Sequence, residues 1–220
     1  MPPELTTHAL LRVAEPPRVA EPPLLAAGRA LPAWAEAALA RAPWVVVRRA
    51  RSRDGLIPVG VRGPGRAQRL AAWLHPRAVL ECLTPPELAA RAAWRDRLRR
   101  AGTPALAALD PAGALIRRHA LAWGPCGSVG FELASGYAAA TADSDLDLMI
   151  LAPVPVPRGV AAELCAGLAA LAARVDVLLE GPDGAVSLEE YSDARVPLLL
   201  RTVDGPRLAD DPWAGATAAA

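Results

Sequence analysis

The chain contains no lysine; all 24 basic residues are arginine. Beside so much alanine and 23 prolines, that absence reads as genome base composition, and no function is drawn from it. Cysteine is scarce as well. Cys82, Cys126 and Cys165 are odd in number and scattered, which excludes a disulfide framework or a metal-ligand pattern and fits a reducing cytoplasm. No apolar stretch reaches the length needed to span a bilayer. The start, Met1-Pro2-Pro3-Glu4, lacks the basic-then-apolar pattern of a secretory signal. The three histidines, His8, His75 and His119, have no partner at catalytic spacing and read as surface or capping residues. The 6 tryptophans are spread from Trp34 to Trp213 and read as core or domain-interface anchors.

What is present is enough apolar chain for a proper core in one domain or two, and a strong charge asymmetry. The net charge is only +1. Residues 1–120 hold 19 Arg against 9 acidic residues, a net of +10, and residues 121–220 hold 5 Arg against 14 acidic residues, a net of −9. The split predicts two units of different electrostatic character, the basic one suited to a polyanion or an acidic partner protein. The arginine-rich segments carry no nucleic-acid recognition motif, so nucleic acid is not expected as a partner. The composition shift near Asp110-Pro111-Ala112-Gly113 is the preferred boundary, giving domains 1–110 and 111–215 with a flexible tail at 216–220.

Along the chain, Arg12-Val-Ala-Glu-Pro-Pro17 repeats at once as Arg18-Val-Ala-Glu-Pro-Pro23. Paired prolines exclude a helix interior, and segment 12–23 reads as an extended surface linker. A helix is expected from about Pro32 to Arg41, and strands at Trp44–Val47 and Leu56–Val61, with Pro58 suggesting an edge or irregular start. Arg53-Asp54-Gly55 supplies the turn between them. A short helix is expected from Arg66 to Leu74 and a strand at Ala78–Leu83. Thr84, Pro85 and Glu87 then form a helix start, and that helix should run to about Arg100 and stop at Gly102. Further helices are expected at 114–122, 160–173 and 188–201, the last interrupted by Pro197. Strands are expected leading into Gly127, from Asp145 to Leu151, and from Val175 to Leu179. This order predicts an α+β fold: a small mixed sheet with helices in the C-terminal domain, preceded by a smaller α/β domain.

The chemistry concentrates in the acidic half. Gly127-Ser128 is a small-residue turn, and Ser144-Asp145-Leu146-Asp147-Leu148-Met149-Ile150-Leu151 opens an apolar run with two carboxylates one residue apart. Alternate side chains of a strand share a face, so Asp145 and Asp147 point the same way. Two such carboxylates repel unless a cation lies between them, and Mg²⁺ favours carboxylate oxygens together with substrate phosphates. Backbone N–H groups of the Gly127-Ser128 turn suit those phosphates. Asp176 lies in a second apolar run, Arg174-Val175-Asp176-Val177-Leu178-Leu179, where an isolated carboxylate needs a partner. If the two strands are neighbours, Asp145, Asp147 and Asp176 converge as metal ligands and catalytic residues for in-line phosphoryl or nucleotidyl transfer. Cys126 beside the turn reads as a packing residue, since nothing nearby lowers its pKa.

This set of residues resembles the DNA polymerase β-type nucleotidyltransferase superfamily, in which a Gly-Ser turn contacts nucleotide phosphates, paired carboxylates bind Mg²⁺ and a third carboxylate follows on a neighbouring strand. Sixteen residues separate Ser128 from Asp145, more than is common in its compact members. A longer similarity runs through Trp123 to Gly136 and Ala142 to Leu148, with further matches at Gly55–Gly63, Gln68–Trp73, Gly205–Leu208 and Asp211–Trp213. It is to the phosphoribosyl-dephospho-CoA transferases of malonate decarboxylase, also called its holo-acyl-carrier-protein synthases, and spans roughly residues 40–215. Ala9 stands where that family tends to have Asp after His. The resemblance implies a donor, 2′-(5″-triphosphoribosyl)-3′-dephospho-CoA, and an acceptor serine on the apo acyl-carrier-protein subunit. The products would be holo-carrier protein, joined by a phosphodiester, and pyrophosphate. Gly127 and Ser128 would bind the triphosphate, and Arg48, Arg49, Arg62 and Arg69 are candidates for the rest of the polyanion or for the acidic carrier. Two other readings of the residues stand beside this one: a small nucleotidyltransferase using an ordinary NTP, and a non-catalytic module that docks an acidic partner.

Overall fold

The structure, a computed structural model, describes residues 5–14, 24–25, 31–65, 67–96, 102–193 and 196–217. The chain divides into two units, one of Met1–Thr84 with Phe131–Ala139 and one of Pro85–Gly130 with Ala140–Ala220. The division falls at Thr84/Pro85, ahead of the composition shift at 110–113, which lies inside a helix of the second unit. Arginine content tracks solvated positions, whereas a unit is set by which apolar faces pack together.

The first unit runs β1 (Leu10–Val13), β2 (Leu24–Leu25), α1 (Ala33–Arg41), β3 (Trp44–Val47), β4 (Ile57–Arg62), β5 (Arg69–Leu74) and β6 (Val79–Leu83). Its sheet has the order β2-β5-β4-β3-β1-β6, with every neighbouring pair antiparallel. Within the α+β class expected for the chain, this unit is an antiparallel sheet that carries α1. Alternate residues of these strands face a single core: Leu11 opposite Val45, Val47 opposite Val59, Val59 opposite Ala72, Ile57 opposite Leu74, with Ala35 of α1 against them. The turn at Asp54 and Gly55 forms as expected, both residues having positive φ (51 and 74), the geometry of a two-residue hairpin turn.

Three local expectations fail here. Arg69–Leu74 is a strand, not a helix. Its Arg-Leu-Ala-Ala-Trp-Leu sequence has helix-compatible residues, and only pairing along the whole of β4 makes it β. Pro58 lies in an interior strand rather than at an edge. Its carbonyl accepts from Arg48 N at 2.9 Å, just past the end of β3, so the missing N–H falls where the neighbouring ladder has already stopped. Arg12 and Val13, expected as linker, belong to β1; residues 15–23 of the duplicated segment lie outside the described residues.

The second unit runs α2 (Pro85–Arg91), α3 (Pro104–Ala107), α4 (Leu109–Arg117), β7 (Trp123–Pro125), the start of α5 (Gly127–Ser135), β8 (Leu146–Leu151), α6 (Arg158–Ala169), β9 (Val175–Gly181), β10 (Gly184–Ser187), α7 (Leu188–Ser192), β11 (Leu198–Thr202), β12 (Gly205–Ala209) and α8 (Ala214–Thr217). The sheet order is β12-β11-β10-β9-β8-β7. Only β8 and β9 pair in parallel, and α6 is their crossover. Leu146, Leu148 and Ile150 of β8 are fully buried, with Val177 and Leu179 of β9 opposite the last two. The mixed sheet expected for this region is present, and the whole is α+β.

The helix begun at Pro85 ends at Arg91, short of Arg100. Ala92 takes φ +47 and turns the chain, so that Trp94 is buried, donates from Nε1 to Asp110 Oδ1 at 3.1 Å and lies 6.4 Å from the Trp123 ring. Burial of one large aromatic outweighs helix propensity over the following residues. The helix expected over 188–201 stops at Ser192, and Leu198–Thr202 is instead one arm of a hairpin with Gly205–Ala209. Of the expected tail, residues 216 and 217 belong to α8, and residues 218–220 lie outside the described residues. No helix among the described residues is long and apolar enough to cross a membrane.

Candidate active site

The parallel pair β8–β9 sets the site. Asp147 and Asp176 are direct register partners across it, so their side chains leave the sheet on the same face at adjacent positions. Asp145 is two positions ahead of Asp147, just before β8, and strand alternation gives it the same sense. All three are half-buried or exposed, while Leu146 between the pair is fully buried. The Asp176 Oδ1 accepts from Arg174 Nη2 at 3.1 Å, an exposed ion pair.

The Gly127 turn closes on the same carboxylates. Pro125 is the register partner of Leu148, and Cys126 N donates to Asp147 O at 2.8 Å. These bonds carry the chain from β7 onto α5 directly beside β8. Gly127 has φ +55, and a Cβ there would overlap Asp147 Oδ2. Glycine is thus required twice, by the left-handed backbone and by the carboxylate oxygen occupying the space of a side chain. Gly130 N donates to Cys126 O at 2.7 Å, so Gly127-Ser128 is the first turn of a nine-residue helix rather than an isolated bend. Its N-terminal N–H groups and helix dipole favour anions. Ser128 is largely buried there.

Cys126 is buried, and its thiol is pushed well above the ordinary range, first by burial and then by the charges of Asp147 and Glu180. It is held neutral, which agrees with a packing role and not a nucleophilic one.

Several residues of the site were not singled out in the sequence. Arg174, two residues before Asp176, is legible as a strand-entry cation once the strand is recognised. Glu180 lies four residues beyond Asp176 on the same face of β9. Ser144 holds the turn before Asp145, its Oγ accepting from Thr141 N at 2.9 Å. Glu132, one turn into α5 from Ser128, is fully buried, and its Oε2 accepts from Ala139 N at 2.9 Å. Nothing in the sequence separates it from a solvent-facing helical Glu.

The predicted arginines belong to the first unit. Arg62 and Arg69 are register partners across β4 and β5, and the stem of Arg48 passes over Gly60 on that same face. Arg62 Nη2 donates to Ala139 O at 3.4 Å. Arg69 Nη1 donates to Gly65 O and Gln68 O at 3.2 and 3.1 Å. Arg49, the fourth candidate, follows β3 at a half-buried position.

Among the described residues, no three His, Cys, Asp or Glu side chains are gathered as a metal-binding group. The aspartate trio is a shared face and not a formed cage, and the Asp176 carboxylate is directed to Arg174. The donor set nevertheless suits a hard divalent cation: carboxylate oxygens at adjacent strand positions, with Asp147 Oδ2 standing in the notch left by Gly127.

Two family models together cover nearly the whole chain. Residues 6–85 match the model described as the phosphoribosyl-dephospho-CoA transferase MdcG N-terminal domain, and residues 87–212 match that of the corresponding C-terminal domain. The chain is 44% identical over 185 residues to the phosphoribosyl-dephospho-CoA transferase of Azotobacter vinelandii, covering 84% of this chain and 86% of the relative. It is 41% identical to the protein of that name from Pseudomonas putida, covering 83% and 86%, and 41% identical to that from Pseudomonas aeruginosa, covering 83% and 85%. No solved structure gives a significant match.

Proposed function

From a chain that belongs to the phosphoribosyl-dephospho-CoA transferase family, we infer an enzyme that transfers the 2′-(5″-triphosphoribosyl)-3′-dephospho-CoA prosthetic group to a serine of the apo acyl-carrier-protein subunit of malonate decarboxylase. The serine Oγ forms a bond to the α-phosphorus, the bond to the β-phosphate breaks, pyrophosphate leaves, and a phosphodiester remains. Asp145 and Asp147 would hold Mg²⁺, with Asp176 as the third carboxylate. The cation would supply charge neutralisation on the triphosphate. The N-terminal N–H groups of α5 and the Ser128 hydroxyl are the anion donors beside it. Asp176 is the candidate acceptor of the serine proton. The face bearing Arg48 and Arg69 suits the acidic surface of a carrier protein. Cys82, Cys126 and Cys165 form no disulfide, which suits a reducing cytoplasm as the place of action.

The observation that carries this reading is the fit of Gly127 against Asp147, since it joins an anion-binding helix start to a carboxylate strand at one point. The test is intact mass of the apo-carrier incubated with enzyme, donor and Mg²⁺. One prosthetic group on one serine is expected, and ordinary NTPs in place of the donor should give no adduct. An unmodified carrier, under conditions where the Azotobacter vinelandii protein modifies it, would overturn the proposal. Modification by an NTP would favour the general nucleotidyltransferase reading instead.

A further inference from the structure

Exposed apolar surface in the second unit gathers on one hairpin. Leu199 of β11 and Leu208 of β12 are register partners, and both are exposed, Leu208 at 65%. Val203 in the connecting turn and Val196 at the entry to β11 are exposed as well, at 47% and 57%. Single exposed apolar side chains are ordinary, whereas three on one hairpin with a fourth at its entry form a patch of the kind that meets a partner. The turn is held in place: Thr202 Oγ1 donates to Gly205 O at 2.7 Å and accepts from Asp204 N at 3.2 Å. A platform fixed in this way loses little freedom on docking.

Register carries the patch onto the face of the candidate site. Asp176 and Glu180 share a face of β9, since side chains alternate along a strand. Glu180 is opposite the buried Ala185 of β10, Ala185 is opposite Arg201 of β11, and Arg201 is opposite Pro206 of β12. Leu199 and Leu208, two residues from Arg201 and Pro206, keep the same sense. The sheet therefore presents Asp147, Asp176, Arg201, Leu199 and Leu208 on one side. Leu198 and Leu200 have the alternate sense and are buried on the other. β11 lies two strand spacings from β9, about 10 Å, and β12 about 14 Å. An interface of standard size covers roughly 800 Å² per partner and is about 30 Å across, so one protein surface can span the hairpin and the carboxylates together.

Charge selects the occupant. Residues 121–220 carry a net of −9, yet the exposed Arg201 stands on this face beside the leucine pair. Pro206 and Arg207 on the edge strand oppose the addition of a further strand, which favours an occupant over the face and not along the edge. An acidic protein surface with an apolar centre meets both requirements.

We propose that the face of β11 and β12 is the docking surface for the acceptor protein, with Leu199 and Leu208 covering its apolar centre and Arg201 pairing with its carboxylates. This rests on the reading of the chain as a carrier-modifying transferase. It gives the acidic carrier a contact on the unit that holds the aspartates, besides the face of Arg48 and Arg69.

The test measures the KM for the apo-carrier and the KM for the donor on the full chain. Arg201→Glu should raise the carrier KM about tenfold and Leu208→Ser about fivefold, each with the donor KM unchanged. Arg207 is opposite Leu200 and so leaves the sheet on the other side. Arg207→Glu makes the same change of charge there and should stay within about twofold of the parent. All three positions are exposed, so the variants should melt with the parent. An unaltered carrier KM in either Arg201→Glu or Leu208→Ser, a loss in Arg207→Glu as large as in Arg201→Glu, or a rise in the donor KM alone would each overturn the inference. Sedimentation velocity should show one oligomeric state for the parent and Leu208→Ser. A parent dimer that Leu208→Ser splits would give the face to a second copy and overturn the inference as well. A parent that modifies no carrier would overturn the transferase reading together with it.

Discussion

The two sheets bring distant residues together by opposite rules. In the first unit every pair is antiparallel, and Arg62 meets Arg69 because a hairpin folds the chain back on itself. In the second unit β8 and β9 run parallel, and Asp147 meets Asp176 only after a helical crossover. Both arrangements set like charges directly opposite, which is unfavourable without something between them. The antiparallel pair resolves the conflict internally, since each guanidinium turns away to backbone carbonyls. In the parallel pair, Asp176 accepts from Arg174 in an exposed contact, and Asp147 lies against the Gly127 turn. Like charges in register thus have different surroundings in the two sheets: backbone carbonyls for the arginines, a glycine turn at a helix start for the aspartates.

Asp147→Asn sets the sharpest contrast. It should lower kcat on the order of a thousandfold with thermal stability nearly unchanged, whereas Arg69→Met should lower kcat/KM only a few-fold. Equal losses would erase the distinction between the two pairs. Gly127→Ala should cost activity about a hundredfold and stability about 1–3 kcal/mol, because a methyl would meet Asp147 Oδ2 at a left-handed backbone position. Thermal melts and single-turnover rates measure both effects. Ile150→Ala, behind the carboxylates, should destabilise by about 2–5 kcal/mol in urea titration, and Leu74→Ala of the first sheet by a similar amount, since both side chains are fully buried.

Cys126 adds a dependence on pH. Its thiol is raised in the fold relative to the unfolded chain, so the unfolded state gives up its proton first. The stabilising contribution is complete below the unfolded thiol range, near pH 8.5, and falls above it by up to about 1.4 kcal/mol per pH unit. Cys126→Ala should remove that slope from urea midpoints measured between pH 8 and 10. The smallest effects belong to ion pairs that are exposed or only partly buried. Arg174→Ala and Arg12→Ala, which break the contacts to Asp176 and Glu81, should each change stability by less than about 1 kcal/mol.

The acidic strand, its parallel partner and the glycine beside them were legible because each rests on local sequence: period-two alternation, two apolar runs and a small-residue turn. The strand Arg69–Leu74 was not legible, because alanine and leucine suit either state and the choice is made by β4. The hairpin of β11 and β12 carried a signal that passed unread, the Asp204-Gly205 turn. The turn at Ala92 had none, since alanine seldom adopts positive φ and only the burial of Trp94 enforces it. Glu132 was invisible for a different reason. A glutamate in a helix looks solvated until its neighbours are known.

The notch at Gly127 also imposes a length limit on residue 147. An aspartate reaches its place because one methyl group is missing opposite it; a glutamate would carry its oxygens one methylene further, toward the Gly127 backbone. Chains of this family that exchanged the two acids at this position would have to reshape the helix entrance as well, whereas the partner position on β9, open to solvent, imposes no such restriction.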